Sequence, residues 1–222
     1  MWVFGTWAML VCMTASPDDT NALAAEWDER YAGLTTEMRD AEPNAVLITE
    51  VSKFAPGRAL DIGCGVGAEA IWLASREWDV TALDVSRVAL ARATARGRQA
   101  GVRVNWVRAA LEDAPLRVGG YDLVTAFYPA LRHSSGRAAE ESLLAAVAPG
   151  GTLLVVHHAD VDAEKAKSYG FDPADYLSHD DIATLLDGDW HVRVDRRQPR
   201  KTPARPELQH THDDVLLARR LR

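Results

Sequence analysis

From residue 22 onward the apolar positions fall alternately into helical and strand spacing. Residues 22–32 and 41–53 carry Ala, Leu, Trp and Val at helical intervals, and residues 58–62 form a short apolar strand. A helix through AEAIWLASR follows, then a strand at 79–85. Ser86 is placed to cap the next helix, RVALARATARGRQA, and Gly101 to end it. VRVNWVRA and YDLVTAFYP are the third and fourth strands; a helix at 137–147, an APGG turn and TLLVVHH complete the run. The unbroken apolar stretch of TLLVVHH is that of a strand covered on both faces. This periodicity is βαβαβ and predicts an α/β fold with a parallel sheet and helices on both faces. The last quarter differs. After a helix near 179–186, WHVRVDRRQ and DDVLLARRL are separated by a Pro-rich loop with no helix, so these two strands are expected to pair antiparallel. There is no internal repeat.

Residues 1–15 are almost wholly apolar. They lack the basic start of a secretory signal, and about 13 apolar residues are too few to span a bilayer. Met13 opens a polar, more ordinary beginning, so translation is expected to start there, with 1–21 a disordered leader and 22–222 one domain. At 222 residues and 47% apolar composition, one core is expected. The net charge of −7 argues against a nucleic-acid partner. Cys12 and Cys64 match no disulfide or metal spacing, which fits a cytoplasmic location.

The chemistry concentrates in ALDIGCGVGAEA, residues 59–70. Gly63, Gly65 and Ala68 satisfy a dinucleotide fingerprint, and Asp84 lies about twenty residues beyond Gly63, where a ribose-binding acid is expected. Glycines there allow a tight turn and close backbone approach to any nucleoside ligand. Asp61 discriminates among ligands: a carboxylate facing the loop would repel a pyrophosphate and attract the ammonium and sulfonium of S-adenosylmethionine. Asp84 would accept from two ribose hydroxyls, Val85 would cover one adenine face, and Ala110, Leu111 and Glu112 would read the adenine amino edge. The plainer alternatives are helix caps for the two aspartates and an acidic loop for Glu112.

Through LDIGCGVG, LDVS, LEDAP, YDLVTAF and APGGTLLV the chain resembles the class I S-adenosylmethionine-dependent methyltransferases. The resemblance covers about residues 22–222. It implies a Rossmann-like seven-stranded sheet with the last strand antiparallel, and S-adenosylmethionine as cofactor. It implies cofactor contacts from Asp61, Gly63, Cys64, Gly65, Gly67, Asp84, Val85, Ala110, Leu111, Glu112 and Phe127. WDERYAG, AEPN and IWLASREWDVTALDVS look more narrowly like the small-molecule branch related to tellurite-resistance and thiol methyltransferases. In that branch N-terminal helices close over the cofactor, implying a lid at 22–53 with Trp27 and Tyr31 in it. AFYPALRH departs from the Asn/Asp-Pro-Pro-aromatic motif of DNA amino methyltransferases, which argues against base methylation.

The expected acceptor is a small molecule carrying a thiol, oxyanion or other nucleophile, with no nucleic acid, no membrane and no metal; the protein would be a monomer or homodimer. Tyr128 and His133 are the catalytic candidates, with His158 and Asp160 past the fifth strand. His157 and His158 should face opposite sides of the sheet. His210 and His212 make a poor metal site without a third ligand. RRQPRK (196–201) is expected to be a charged loop; Asp175 and Tyr176 are expected to border the acceptor pocket, the plainer reading of SHDD being simply a helix start. A non-catalytic S-adenosylmethionine-binding protein and a nicotinamide oxidoreductase are the rival readings.

Overall fold

The structure is a computed structural model and describes residues 17–33, 42–134, 136–168, 170–200 and 211–222, with the side chains of 17–20 left aside. Met13, the first sixteen residues, His210 and the Pro-rich loop lie outside the described residues.

Helix α1 spans Pro17–Ala32 and α2 Ala45–Val51. The repeating unit then runs β1 (Arg58–Ile62), α3 (Ala68–Ala74), β2 (Asp79–Asp84), α4 (Arg87–Gln99), β3 (Asn105–Arg108), β4 (Tyr121–Phe127), α5 (Ala138–Ala146) and β5 (Val147–His158). Helix α6 (Ala163–Ser168), a 3₁₀ turn at Pro173–Asp175, α7 (His179–Ala183), β6 (Trp190–Pro199) and β7 (His212–Arg220) complete the chain. Helix α1 begins inside the segment expected to be a disordered leader. Pro17 occupies the first helical position, where a missing N–H costs nothing.

The seven strands lie in the order β3-β2-β1-β4-β5-β7-β6. The first five are parallel, and β7 runs antiparallel between β5 and β6. Period-2 alternation sorts the strand residues into two cores. Ala59, Leu123, Leu154, Val156 and Val215 pack with α2 and α3 through Leu47, Val51, Ala70 and Leu73. Leu60, Val124, Leu153, Val155 and Leu216 pack on the opposite face with α5 and α7 through Leu143, Ala146 and Ile182.

Ser86 caps α4 as expected, its hydroxyl accepting from the Ala89 amide. Ser178 and Asp181 close a capping box on α7. Two expectations are corrected. APGG is an excursion within β5, whose pairing with β4 slips between Tyr121 and Leu123. Residues 196–199 of the basic run belong to β6: Arg196, Arg193 and Arg197 pair with Asp214, Glu50 and Asp160, so the charges fit an exposed edge strand and do not end it.

Candidate active site

Strand order reverses between β1 and β4, and the crevice beyond the carboxyl ends of parallel strands at such a point is where α/β sheets bind ligands. A cavity of about 820 Å³ opens there, within the range of roughly 300–1,000 Å³ typical of small-molecule sites. Its floor is formed by the ends of β1, β2, β4 and β5. Its roof is α1, which contributes Leu23, Trp27, Arg30 and Tyr31 at helical spacing.

The loop after β1 takes φ values of +65° at Gly63, +52° at Gly65 and +81° at Gly67, a left-handed path closed to most side chains. At Gly63 a Cβ would meet nothing within 4 Å, since its front is open cavity. At Gly65 it would lie 2.6 Å from the Tyr31 hydroxyl, so the loop and roof approach each other across a side-chain-free position. Gly67 serves packing: a Cβ there would collide with Trp106 at 2.7 Å and Ala93 at 3.0 Å, and the residue is not on the cavity wall. The cofactor contact expected of Gly67 is corrected accordingly.

Asp84 lines the cavity at the end of β2. Its Oδ2 accepts from the Gly65 amide and its Oδ1 from the Ser86 amide, both at 2.8 Å. Burial pushes its carboxyl upward, and the amides oppose that shift. Each oxygen keeps a further lone pair for a ligand hydroxyl. Asp61 is placed differently from expectation. Strand alternation turns it toward α3, where Oδ1 accepts from Thr125 Oγ1 at 2.8 Å and the buried Oδ2 has no hydrogen-bond partner. Burial first, and then the charge of Glu69, push this carboxyl well up. Asp61 therefore lies beneath the loop, off the cavity wall, while Glu69, which accepts from the Asn44 amide at 3.0 Å, lines the cavity.

Cys64, Val85, Ala110, Leu111, Glu112, Phe127, Trp27 and Tyr31 all line the cavity. Burial, reinforced by the nearby Asp84, holds the Tyr31 hydroxyl protonated far above its ordinary range. The roof is pinned through Asp28, whose carboxylate accepts from Ser86 Oγ at 2.7 Å, Arg87 Nε at 2.8 Å and the Val88 amide at 3.1 Å. Desolvation opposes its ionisation, but these donors outweigh it and bring the carboxyl down to about 2.

A second cluster closes the cavity where β4, β5 and β7 meet. Tyr128, left-handed at φ +50°, donates to Asp213 Oδ2 at 3.0 Å and accepts from Asn44 Nδ2 at 2.7 Å. Its ring stacks on His158 at 4.1 Å, with the Arg200 guanidinium 4.7 Å from the ring centre. Arg200 Nε donates to both oxygens of Asp213, at 2.9 and 3.1 Å. Its Nη2 lies 3.3 Å from His158 Nδ1. The same Nδ1 stands 3.7 Å from Asp213 Oδ1, so the imidazole lies between the guanidinium and the carboxylate. Burial and the Asp213 carboxylate push the Tyr128 hydroxyl up, which keeps it protonated.

His133 is corrected as a catalytic candidate. It lies off the cavity wall, about half exposed, with Nε2 3.8 Å from Asp181 Oδ2 and its amide donating to the Asp175 carbonyl. The chain after β4 turns toward the 3₁₀ turn and α7 and takes His133 with it. His157 and His158 do face opposite sides: His157 meets His179 edge-on at 5.7 Å.

Sequence reasoning missed Asn44, Glu69, Arg132, Arg200 and Asp213. A signal existed for Asp213, since an antiparallel β7 must begin beside the end of β5, and Asp213 is paired with His158 in register.

The glycine path, the open front of Gly63 and the acidic pair Asp84 and Glu69 above buried Asp61 suit a cationic nucleoside. Residues 59–151 match a methyltransferase domain family. An uncharacterized methyltransferase of Mycobacterium tuberculosis is 42% identical over 98 residues, covering 44% of this chain and 48% of that protein. The ubiquinone biosynthesis O-methyltransferase of Marinobacter nauticus is 32% identical over 108 residues, 47% of this chain and 45% of its own. These matches span about half the length of either relative. In fold, the magnesium protoporphyrin IX methyltransferase of Synechocystis PCC 6803, solved with bound SAH, superimposes with a TM-score of 0.63 at 20% identity over 91% of this chain and 100% of that one. Residues 59–151 are therefore similar to a methyltransferase domain family, and the chain shares the fold of a methyltransferase of known structure.

Proposed function

We propose that the protein transfers a methyl group from S-adenosylmethionine to a small-molecule nucleophile held in the roofed cavity. The observation that carries this reading is the facing of Asp84 and the Gly63–Gly65 turn across one cavity from Tyr128 and His158. The cofactor supplies a methyl group already activated on a sulfonium, so the protein's task is alignment and exclusion of water. Asp84 holds the ribose hydroxyls, with its free lone pairs oriented by the Gly65 and Ser86 amides. Val85 and Leu111 flank the adenine, and Ala110 and Glu112 border its amino edge. The carboxylates of Asp84 and Glu69 favour positive charge at the loop. Trp27 and Tyr31 on α1 shut water out.

At the acceptor end, Tyr128 is fixed from both sides by Asn44 and Asp213, and fixes the ring of His158 by stacking. His158 brings an imidazole to the cavity wall, where it can hydrogen-bond an acceptor that arrives already ionised, as a thiolate or oxyanion does. The O-methyltransferase relative is compatible with this range. The domain is proposed to extend over 22–222, with 22–53 as its lid.

Calorimetric titration with S-adenosylmethionine and S-adenosylhomocysteine, followed by transfer of labelled methyl to thiols, phenols and oxyanions, tests the proposal. Micromolar binding of both with turnover of at least one acceptor is expected. Binding without turnover across the panel would favour a non-catalytic binding protein, and NADH binding in their place would favour an oxidoreductase.

A further inference from the structure

One wall of the cavity, where α1 meets the segment after β4 and the turn near residue 171, carries Arg30, Arg132 and Phe171. Both arginines share a single carboxylate. Glu26 Oε1 accepts from Arg30 Nη2 at 2.8 Å, and Oε2 from Arg132 Nη2 at 3.2 Å. Arg30 also reaches the Gly170 carbonyl, which carries no charge, at 3.4 Å. Aromatic faces fix both forks: Arg30 lies 5.2 Å from the Trp27 ring and 6.0 Å from Phe171, and Arg132 lies 5.7 Å from Tyr176. Phe171 and Tyr176 are themselves stacked at 4.5 Å.

Several other charges of the cavity wall have partners of their own. Arg200 is matched by Asp213 and Asp160 by Arg197, and the adjacent Lys165 and Asp162 cancel. Arg30 and Arg132 share the Glu26 carboxylate between them, and the Asp175 charge also acts on Arg132. The cavity is thus acidic at Asp84 and Glu69 and basic at the arginine pair. Guanidiniums held flat, pre-oriented and only partly neutralised are suited to bidentate capture of a carboxylate or phosphate.

We propose that Arg30 and Arg132 receive an acidic group of the methyl acceptor, which is therefore a small organic acid. The proposal rests on the methyltransferase reading of the cavity. Glu26 occupies the guanidiniums until the acid arrives and competes with it. A plain clasp holding α1 to the segment after β4 makes the opposite prediction for Glu26, and this separates the two accounts.

The test is calorimetric titration of the full chain, with and without S-adenosylhomocysteine, using matched acids and neutral analogues: 4-hydroxybenzoate against 4-hydroxybenzamide, 3-mercaptopropionate against 3-mercaptopropionamide, and phenyl phosphate against phenol. For at least one pair the acid is expected to bind about tenfold tighter than its analogue. The preferred pair distinguishes a carboxylate from a phosphate. The preference should collapse in Arg30→Gln/Arg132→Gln and grow severalfold in Glu26→Gln, where the competing charge is gone and the shape is kept. Three outcomes would overturn the proposal: no acid preference in any pair, a preference that survives the double substitution, or a loss of acid binding in Glu26→Gln. Failure of the methyltransferase reading itself is seen separately, as absent S-adenosylhomocysteine binding, while the titrations of the unloaded protein still decide whether the arginine pair selects acids.

Discussion

Asp84 has two tasks in one carboxylate. Its oxygens hold the Gly65 and Ser86 amides, fixing the glycine turn and the start of α4, and their remaining lone pairs face the cavity. Replacement by alanine therefore removes ligand contacts and leaves two buried amides unpaired. Asp84→Ala is expected to weaken S-adenosylhomocysteine binding by about 1.5–3 kcal/mol, the worth of hydrogen bonds to a charged group, and to lower unfolding stability by about 1–3 kcal/mol. Calorimetry and urea titration read the two effects independently. Cofactor binding equal to that of the wild type would remove Asp84 from the ribose site. The residue's place beside the glycine turn was legible from its distance beyond the glycines. That of Asp61 was misread, because a loop motif does not say which face of β1 its last residues occupy. Strand alternation decides that, and it sends Asp61 under α3 toward Thr125.

Among the elements, α1 is the one whose position controls access. It lies outside the sheet, and Asp28 ties it to the amino end of α4 through Ser86, Arg87 and Val88, while its cavity face carries Trp27 and Tyr31. Asp28→Ala is expected to release the helix while the sheet stays folded. Hydrogen exchange should show lost protection confined to residues 17–32, and S-adenosylhomocysteine affinity should fall severalfold, roughly 1 kcal/mol or more for the loss of charge-assisted bonds. Unchanged exchange in α1 would show that the helix is held by packing alone. The sequence revealed this helix through its spacing, and pointed to its two aromatics only through the family resemblance. It did not reveal the anchor, because Asp28 and Ser86 meet only after β1, α3 and β2 have been folded between them. Most of the cluster around Tyr128 was hidden for the same reason: Asn44, Arg200 and Asp213 come from separate segments, and their hydrogen bonds leave no local spacing to read.

For the whole molecule, the alternating pattern was sufficient to predict the parallel sheet, and the helix-free ending to predict an antiparallel final pair. Interleaving of β7 between β5 and β6 joins the last strand to the body of the sheet, and it also buries a histidine pair. His157 at the end of β5 lies against His179 of α7, and the ring nitrogens of both are buried without hydrogen-bond partners. Desolvation, followed by the like charges of His179 and His158, lowers His157 from 6.5 to about 4; Asp214 opposes the shift. His179 is lowered in the same direction, again chiefly by burial. At these two histidines the unfolded chain binds more protons than the folded one between these values, so their contribution to stability is complete above pH 6.5 and is lost as the pH falls toward 4, while the raised carboxyls of Asp61 and Asp84 act in the opposite sense. The carboxylates Asp28 and Asp213, both held below their ordinary range, lose their contributions only in a lower window, below about pH 4. Urea unfolding followed from pH 7.5 to 5 should show a loss of about 1–2 kcal/mol attributable to His157. His157→Gln, which carries no titrating group, should flatten that slope and leave the steeper fall below pH 4 in place. An equal slope in wild type and variant would place the pH sensitivity outside this histidine pair.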